Sequence, residues 1–280
     1  MSRAPNLLSI NAYHYRRGGS EAVYFDHARM FEARGWGAAF LSMQHPENEA
    51  SRWSEYFVDE IEWGHDYTLW ERMVKATKVI YSFEARRKLD RLLQTFPADV
   101  AHAHQIYHHL SPSILPLLKQ RGVRTVLTAH DLKLACPAYT MRNAGGVCER
   151  CKGGRVWNVA LHRCVADSRL VSGLVFVETL AHRTLGLYRK TLDRIVAPSR
   201  FYLEKLIEWG WDRERLVHIP NFVDAESFPR IEGRAGYLAY FGRLSGEKGL
   251  STLIDAARAA GVPGVEARVY PAFGVTRDEG

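Results

Sequence analysis

Four places in the chain combine residue types and spacings that could do chemistry. All four cysteines fall within 136–164, as Cys136, Cys148, Cys151 and Cys164, with eleven, two and twelve residues between them. A Cys-x-x-Cys pair with two further cysteines can wrap a tetrahedral zinc, and four thiolates leave it no open position, so such a site would be structural. Clustering of every cysteine in a chain read as cytosolic favours metal over disulfides. An iron–sulfur cluster, a redox pair and plain reduced thiols are the alternatives, and His162 is a substitute ligand. Asn143, Gly145, Gly146, Gly153 and Gly154 lie between the cysteines and supply little core.

Two other places suit phosphate. In Gly18-Gly19-Ser20-Glu21, glycine lets backbone come close to a ligand, and a helix that starts there offers unpaired N–H groups to an anion. A plain turn with Ser20 as cap is the simpler reading. The loop lacks the spaced third glycine of the dinucleotide fingerprint, which argues against a dehydrogenase. In Phe241-Gly242-Arg243-Leu244-Ser245-Gly246-Glu247-Lys248-Gly249, two cations five apart stand where a strand gives way to a helix. Arg243 and Lys248 there suit a diphosphate, against the alternative of a solvated basic turn. The fourth place is His130-Asp131, directly after the apolar run RTVLTA. A histidine and a carboxylate at a strand end can orient a sugar hydroxyl or assist proton transfer. The alternative is a histidine that only bonds loop backbone.

The elements that must position these residues alternate. Strands are predicted at 7–11, 38–42, 99–104, 124–129, 193–197 and 216–219, and helices at 20–34, 114–121 and 200–209. Repeated βα units predict a doubly wound parallel sheet with ligands at the carboxyl ends of its strands. Residues 220–236 carry two prolines and two glycines without periodicity and read as a linker. A further unit follows, with a strand at 237–241, a helix at 247–260 and a strand at 266–270. Residues 1–219 thus form a first domain with the cysteine-rich insert 136–164, and 237–280 the start of a second Rossmann-like domain. Residues 68–96 break the rhythm as a basic amphipathic helix, in one or two pieces. Its readings are a core-packed helix with a solvated face or a dock for anionic lipid headgroups.

Composition bounds the answer. With 46% hydrophobic and 25% charged residues the chain is globular rather than disordered. No apolar run approaches the ~20 residues of a membrane span, and the first residues are too weakly apolar for a signal peptide, so the expected compartment is the cytoplasm. Lys plus Arg is 38 against 31 for Asp plus Glu, and the resulting +7 favours an anionic partner without choosing it.

The ordered set of motifs resembles the retaining GT-B glycosyltransferases of family 4. The resemblance rests on Gly18-Gly19-Ser20-Glu21, His130-Asp131, Ala197-Pro198-Ser199, Ile219-Pro220-Asn221-Phe222-Val223-Asp224 and Gly242-Arg243-Leu244 with Glu247-Lys248-Gly249. The cysteine insert is similar to one in a subgroup from bacterial surface-polysaccharide clusters. The resemblance implies that Gly18 and Gly19 approach the donor phosphates and that His130, with Asp131 beside it, lines the transfer site. It implies that Arg243 and Lys248 balance the charge growing on the leaving diphosphate. It implies a nucleotide-sugar donor, a glycan or lipid-linked acceptor, no catalytic metal and no nucleic acid partner. Peripheral contact with the inner membrane face through 68–96 would fit a lipid-linked acceptor. The family carries two glutamates separated by seven residues further along its second domain, and the final stretch VEARVYPAFGVTRDEG does not match it. The expectation is a truncated or frameshifted chain with little turnover of its own. The rival class is a zinc-containing nucleic-acid-binding protein using Cys148, Cys151 and the basic residues Arg142, Arg150, Lys152, Arg155 and Arg163. It leaves the βα repetition unexplained.

Overall fold

The computed structural model describes residues 3–60, 77–143, 146–227, 237–242, 248–260 and 266–271. By its internal contacts the chain divides into two compact units, 1–15 with 20–221 and 16–19 with 222–280. The first runs β1 (Asn6–Ile10), α1 (Gly19–Glu32), β2 (Gly37–Leu41), α2 (Phe83–Thr95), β3 (Val100–Ala103), α3 (Ile114–Gln120), β4 (Arg124–Thr128) and a small hairpin, β5 (Arg142–Asn143) with β6 (Gly146–Val147). Then come α4 (Asn158–Leu161), α5 (Arg169–Leu185), β7 (Arg194–Ala197), α6 (Arg200–Glu208) and β8 (Leu216–His218). Six strands form one sheet in the order β2-β1-β3-β4-β7-β8, and every pair is parallel. The six predicted strands of this unit are all present, with ends within one residue of expectation. In the second unit β9 (Tyr237–Gly242) pairs in parallel with β10 (Glu266–Pro271), joined through α7 (Leu250–Ala260).

Register makes the two faces of the six-stranded sheet unlike. Side chains alternate along a strand, so the pairing Leu8↔Ala101↔Thr125 and Ile10↔Ala103↔Leu127 puts one set of residues on one face. Leu8, Ile10, Ala39, Leu41, Ala101, Ala103, Leu127, Ile195 and Leu216 all belong to the main core, where they meet Leu89 and Leu92 of α2, Leu115 and Leu118 of α3 and Leu206 of α6. The other face, set by Ser9↔His102↔Val126, carries polar residues and lies under α1. Edge-on ring contacts of Tyr24 with Phe40 (5.5 Å) and of His27 with His102 (4.5 Å) fill the gap between that helix and the sheet.

The basic segment 68–96 is only partly within the described residues. A short turn at 77–80 is followed by Ser82, whose hydroxyl caps α2 by accepting from the Ala85 amide. The apolar stripe Ala85, Leu89, Leu92 and Leu93 is buried. Much of the basic face is occupied. Lys78 pairs with Glu84 at 2.8 Å, Arg86 donates to the Ser113 carbonyl at 3.0 Å and Lys88 to the Phe57 carbonyl at 2.6 Å. Phe83, Arg87 and Arg91 face solvent.

The 17-residue α5 is the one long helix that pattern reading passes over. Its buried residues are Ser172, Val175, Glu178 and His182, whereas Leu170, Val177, Leu180 and Leu185 are exposed. A helix that turns its polar side inward offers no apolar stripe to read. Among the described residues, no helix is long and apolar enough to cross a membrane.

If α2 serves the core, truncating its two faces has unequal cost. Leu89→Ala is expected to lower stability by about 2–5 kcal/mol. Phe83→Ala, at 75% exposure, is expected to change it by no more than about 0.5 kcal/mol, both read from denaturant melts.

Candidate active site

The carboxyl ends of β1, β3 and β4 lie side by side, and the residues just beyond them are Asn11, His104 and His130-Asp131. The chain reverses its direction of travel across the sheet between β1 and β3, where open parallel sheets leave a ligand crevice. Asn11 spans that point. Its Oδ1 accepts from the Gln105 amide at 3.0 Å and its Nδ2 donates to the Tyr13 carbonyl at 2.8 Å.

A row of imidazoles runs from under α1 to this edge. His102 and His104 sit two apart on β3 and its continuation, so the strand period puts them on one face, stacked 4.5 Å apart. His104 stacks in turn on His130 at 5.2 Å, and its Nδ1 shares a hydrogen bond with His130 Nε2 at 2.9 Å. His102 Nε2 and the Thr128 hydroxyl are 2.8 Å apart. His104 Nε2 is buried without a hydrogen-bond partner. Burial disfavours the imidazolium throughout. It holds His130 down at about 4 and pushes His102 and His104 well below the ordinary value, with neighbouring histidines adding. Both rings of the His104–His130 pair are therefore neutral near pH 7, so one donates to the other. His130 Nε2 is engaged, and its Nδ1 is the ring nitrogen that remains for a ligand. Among the described residues, His27, His102 and His104 are the one trio of metal-capable side chains whose ligand atoms all lie within 4.8 Å of one another.

Asp131 is held by its own loop, its Oδ1 accepting from the Lys133 amide at 2.8 Å. Burial pushes its carboxyl above the usual range, against the pull of Lys133, His108 and the Tyr107 hydroxyl. Behind it lies a charge cluster. Lys133 Nζ donates to Glu178 Oε2 of α5 at 3.0 Å and to the Pro137 carbonyl at 3.0 Å, and both side chains are buried. His108 Nδ1 is 3.4 Å and His182 Nδ1 4.0 Å from Glu178 Oε1. Burial pushes Glu178 up, but Lys133 and the nearby His108 outweigh it and hold the carboxyl at about 2. His108 and Ser111 both have φ of 60°, a left-handed conformation that non-glycine residues adopt at a cost of about 1–3 kcal/mol in loops fixed by their surroundings.

The structure thus brings His130 and Asp131 together with His104, Tyr107, Lys133 and Glu178. Pattern reading missed these four. The alternation Ala101-His102-Ala103-His104 was a usable signal for one of them, because period two puts both histidines on one face. Gly18 and Gly19 are exposed where α1 begins. A Cβ at Gly19 would meet nothing within 4 Å among the described residues and its φ is not positive, so none of them requires glycine there. Lys248 is exposed two residues before α7, and Arg243 lies outside the described residues. The four cysteines, drawn from three turns of the insert, line one small pocket. Burial raises the Cys151 thiol to about 12, with Cys136, Cys164 and Cys148 adding to the rise, and burial raises Cys136 and Cys164 too.

Residues 17–227 match the sequence profile described as Glycosyltransferase Family 4. Among solved structures, HepE of Anabaena in complex with UDP is 16% identical, covering 95% of this chain and 60% of that one with a TM-score of 0.52. The sucrose-phosphate synthase of Thermosynechococcus elongatus is 14% identical, covering 95% and 61% with a TM-score of 0.52. The catalytic domain of starch synthase IV from Arabidopsis thaliana, bound to ADP and acarbose, is 12% identical, covering 96% and 69% with a TM-score of 0.54. At such identities the likeness concerns the fold, and the six-stranded parallel sheet with its helices is the α/β architecture of these GT-B neighbours. This chain spans 60% of the length of the HepE structure. None of the curated proteins searched matches it.

Two outcomes test this electrostatic arrangement. The unfolded chain takes up protons on histidine below pH ~6.5, while the folded His130 and His14, the latter buried with its Nδ1 2.9 Å from the Tyr24 hydroxyl, resist until about 4. Stability is therefore full above 6.5 and lost as pH falls toward 4, by about 2 kcal/mol for each of these two by pH 5. Thermal melts between pH 7.5 and 5 check it. Lys133→Met leaves Glu178 buried without its cation and is expected to cost about 3–5 kcal/mol, most of it recovered in the Lys133→Met/Glu178→Met double variant.

Proposed function

Since the chain belongs to glycosyltransferase family 4, we propose that it is a transferase that moves a sugar from a nucleotide-sugar donor to a glycan or lipid-linked glycan with retention of anomeric configuration. The setting we assign is cell-surface polysaccharide biosynthesis. The family match over 17–227 carries this reading. Further support comes from His130-Asp131 at the carboxyl end of β4, next to the sheet's reversal point.

In this reading His130 hydrogen-bonds the donor sugar or the incoming hydroxyl through Nδ1. His104 fixes its ring plane and tautomer, as the hydrogen bond at one imidazole nitrogen sets the state of the other. A neutral imidazole can accept a proton, and burial keeps His130 neutral at physiological pH. Asp131, beside it, orients a hydroxyl. Gly19 leaves open space for a phosphate at the start of α1, where helix N–H groups favour an anion. Arg243 and Lys248 offset the negative charge that builds on the diphosphate as the glycosidic bond breaks, the largest electrostatic demand of such a transfer. The exposed Arg87, Arg91 and Phe83 of α2 would give a lipid-linked acceptor's membrane a basic point of contact.

Calorimetric titration with UDP, GDP and ADP is expected to show binding of one of them, weakened at least tenfold, about 1.4 kcal/mol, by Arg243→Ala or Lys248→Ala. Absence of binding to all three, or binding indifferent to both changes, would overturn the reading. Whatever rate of nucleoside diphosphate release the 280-residue chain sustains, His130→Ala is expected to lower it about 10²–10⁴-fold. Gly19→Ala is expected to lower that rate while leaving the melting temperature unchanged or slightly raised. Proton NMR of the product reads the anomeric configuration, and inversion would refute retention.

A further inference from the structure

The proposed transfer chemistry makes no use of the cysteine insert, yet its four thiols converge. Cys136 follows β4, Cys148 follows β6, Cys151 opens the next turn and Cys164 follows α4. All four line a single pocket of about 10 Å³, large enough for one water-sized body or one ion, and all four are free thiols. Met141 and Cys151 reach the main core and Glu149 pairs with Lys205 of α6 at 2.6 Å, but the insert has little regular structure of its own. Its own apolar cluster is Ala138, Val159 and Val175, its hairpin strands are two residues each and α4 is four residues long. Three non-glycine residues of the insert, Tyr139, Met141 and Arg163, and two just after it, Ala166 and Asp167, have φ between 46° and 54°. Left-handed residues in such number persist only where something over-determines the backbone.

We propose that Cys136, Cys148, Cys151 and Cys164 together hold one structural zinc ion. Binding converts four thiols to thiolates and releases four protons, so the site carries a net charge of −2. Arg142 lines the same pocket, and Arg150 stands over His162 with its Nη1 3.1 Å from each ring nitrogen. Two guanidinium groups beside a dianionic centre offset its charge, which gives part of the insert's basic character a role other than nucleic acid binding. His162 also lines the pocket, but its ring is exposed and faces Arg150, so four sulfurs suffice without it. No three of the sulfurs lie within the 4.8 Å that the His27, His102 and His104 atoms satisfy. Zinc–sulfur bonds of about 2.3 Å in a tetrahedron bring sulfurs to about 3.8 Å of one another, so the ion draws the turns inward.

The consequence reaches the loop after β4. Cys136 is five residues beyond Asp131, and Cys164 leads into α5, which carries Glu178 to Lys133. A knot joining the two ends of the insert holds the Lys133–Glu178 pair in place. It does so without contact with donor or acceptor, so it is independent of the transferase reading.

Metal analysis of the purified chain is expected to give one zinc per chain, and Ellman titration is expected to find the four thiols reactive only after chelation. Chelation should lower the melting temperature by about 10 °C or more. Cobalt substituted for zinc should show the intense near-ultraviolet thiolate charge-transfer band and the visible bands of tetrahedral coordination. Cys148→Ser/Cys151→Ser should lose the metal. If that variant does not fold, the cobalt spectrum and the count of chelator-released thiols in the wild type decide the matter alone. Four outcomes would overturn the proposal: a folded, metal-free chain indifferent to chelators; iron with visible absorbance; fewer than four titratable thiols because disulfides have formed; or zinc retained by the double variant, which would place it at the histidine trio.

Discussion

The pairing register of β1, β3 and β4 is the constraint on which the site depends. With side chains alternating, one register sends Leu8, Ile10, Ala101, Ala103 and Leu127 to a dry aliphatic core. The same register sends Ser9, His102, His104 and Thr128 to the face under α1. A slip of one residue would put the imidazoles among leucines and the aliphatic row against the polar groups under α1. The burial of apolar surface on one face therefore fixes, at no separate cost, where the polar row on the other must lie. That row ends at His130, and its last hydrogen bond orients the ring at the carboxyl end of β4.

Burial then decides the charge state of everything near that crevice. The histidines are kept neutral because a protonated ring under α1 would be poorly solvated and would repel its stacked neighbours. Glu178 is equally buried but ionised, since Lys133 and His108 stand against it. Two regions only a few residues apart in the loop after β4 thus differ in charge for a local reason: one has counter-charges within reach and the other has only more imidazoles. In the proposed reading, a neutral donor and acceptor at His130 beside the loop-held Asp131 is suited to handling hydroxyls, the groups that a glycosyl transfer would present.

Parts of this architecture were open to reading from the chain alone, for definable reasons. Short apolar runs such as Arg124–Thr128 and Arg194–Ala197, bounded by polar loops and followed by helix caps such as Ser199, admit few other folds. The Ser199 hydroxyl accepts from the Tyr202 amide, as its place before an amphipathic run implies. By contrast α5 presents Leu170 and Leu185 to solvent and Glu178 to the interior, so its pattern points the wrong way. Glu178 and Lys133 are 45 residues apart and carry no spacing signal. Only the packing of α5 against the loop after β4 makes them partners.

The residue types by themselves determined the class of this protein: a parallel α/β sheet, motifs in the order of a glycosyltransferase family, and four cysteines confined to one insert. These are properties of local pattern, because strand period, capping and spacing act over a few residues along the chain. The tertiary structure decided which residues act together. It lined up His102, His104 and His130, joined Lys133 to Glu178 and gathered Cys136, Cys148, Cys151 and Cys164 around one pocket. Those relations depend on burial and on contacts between segments far apart in the chain, and the free energy of a buried charge or a shared hydrogen bond exists only once the fold has brought its partners within reach.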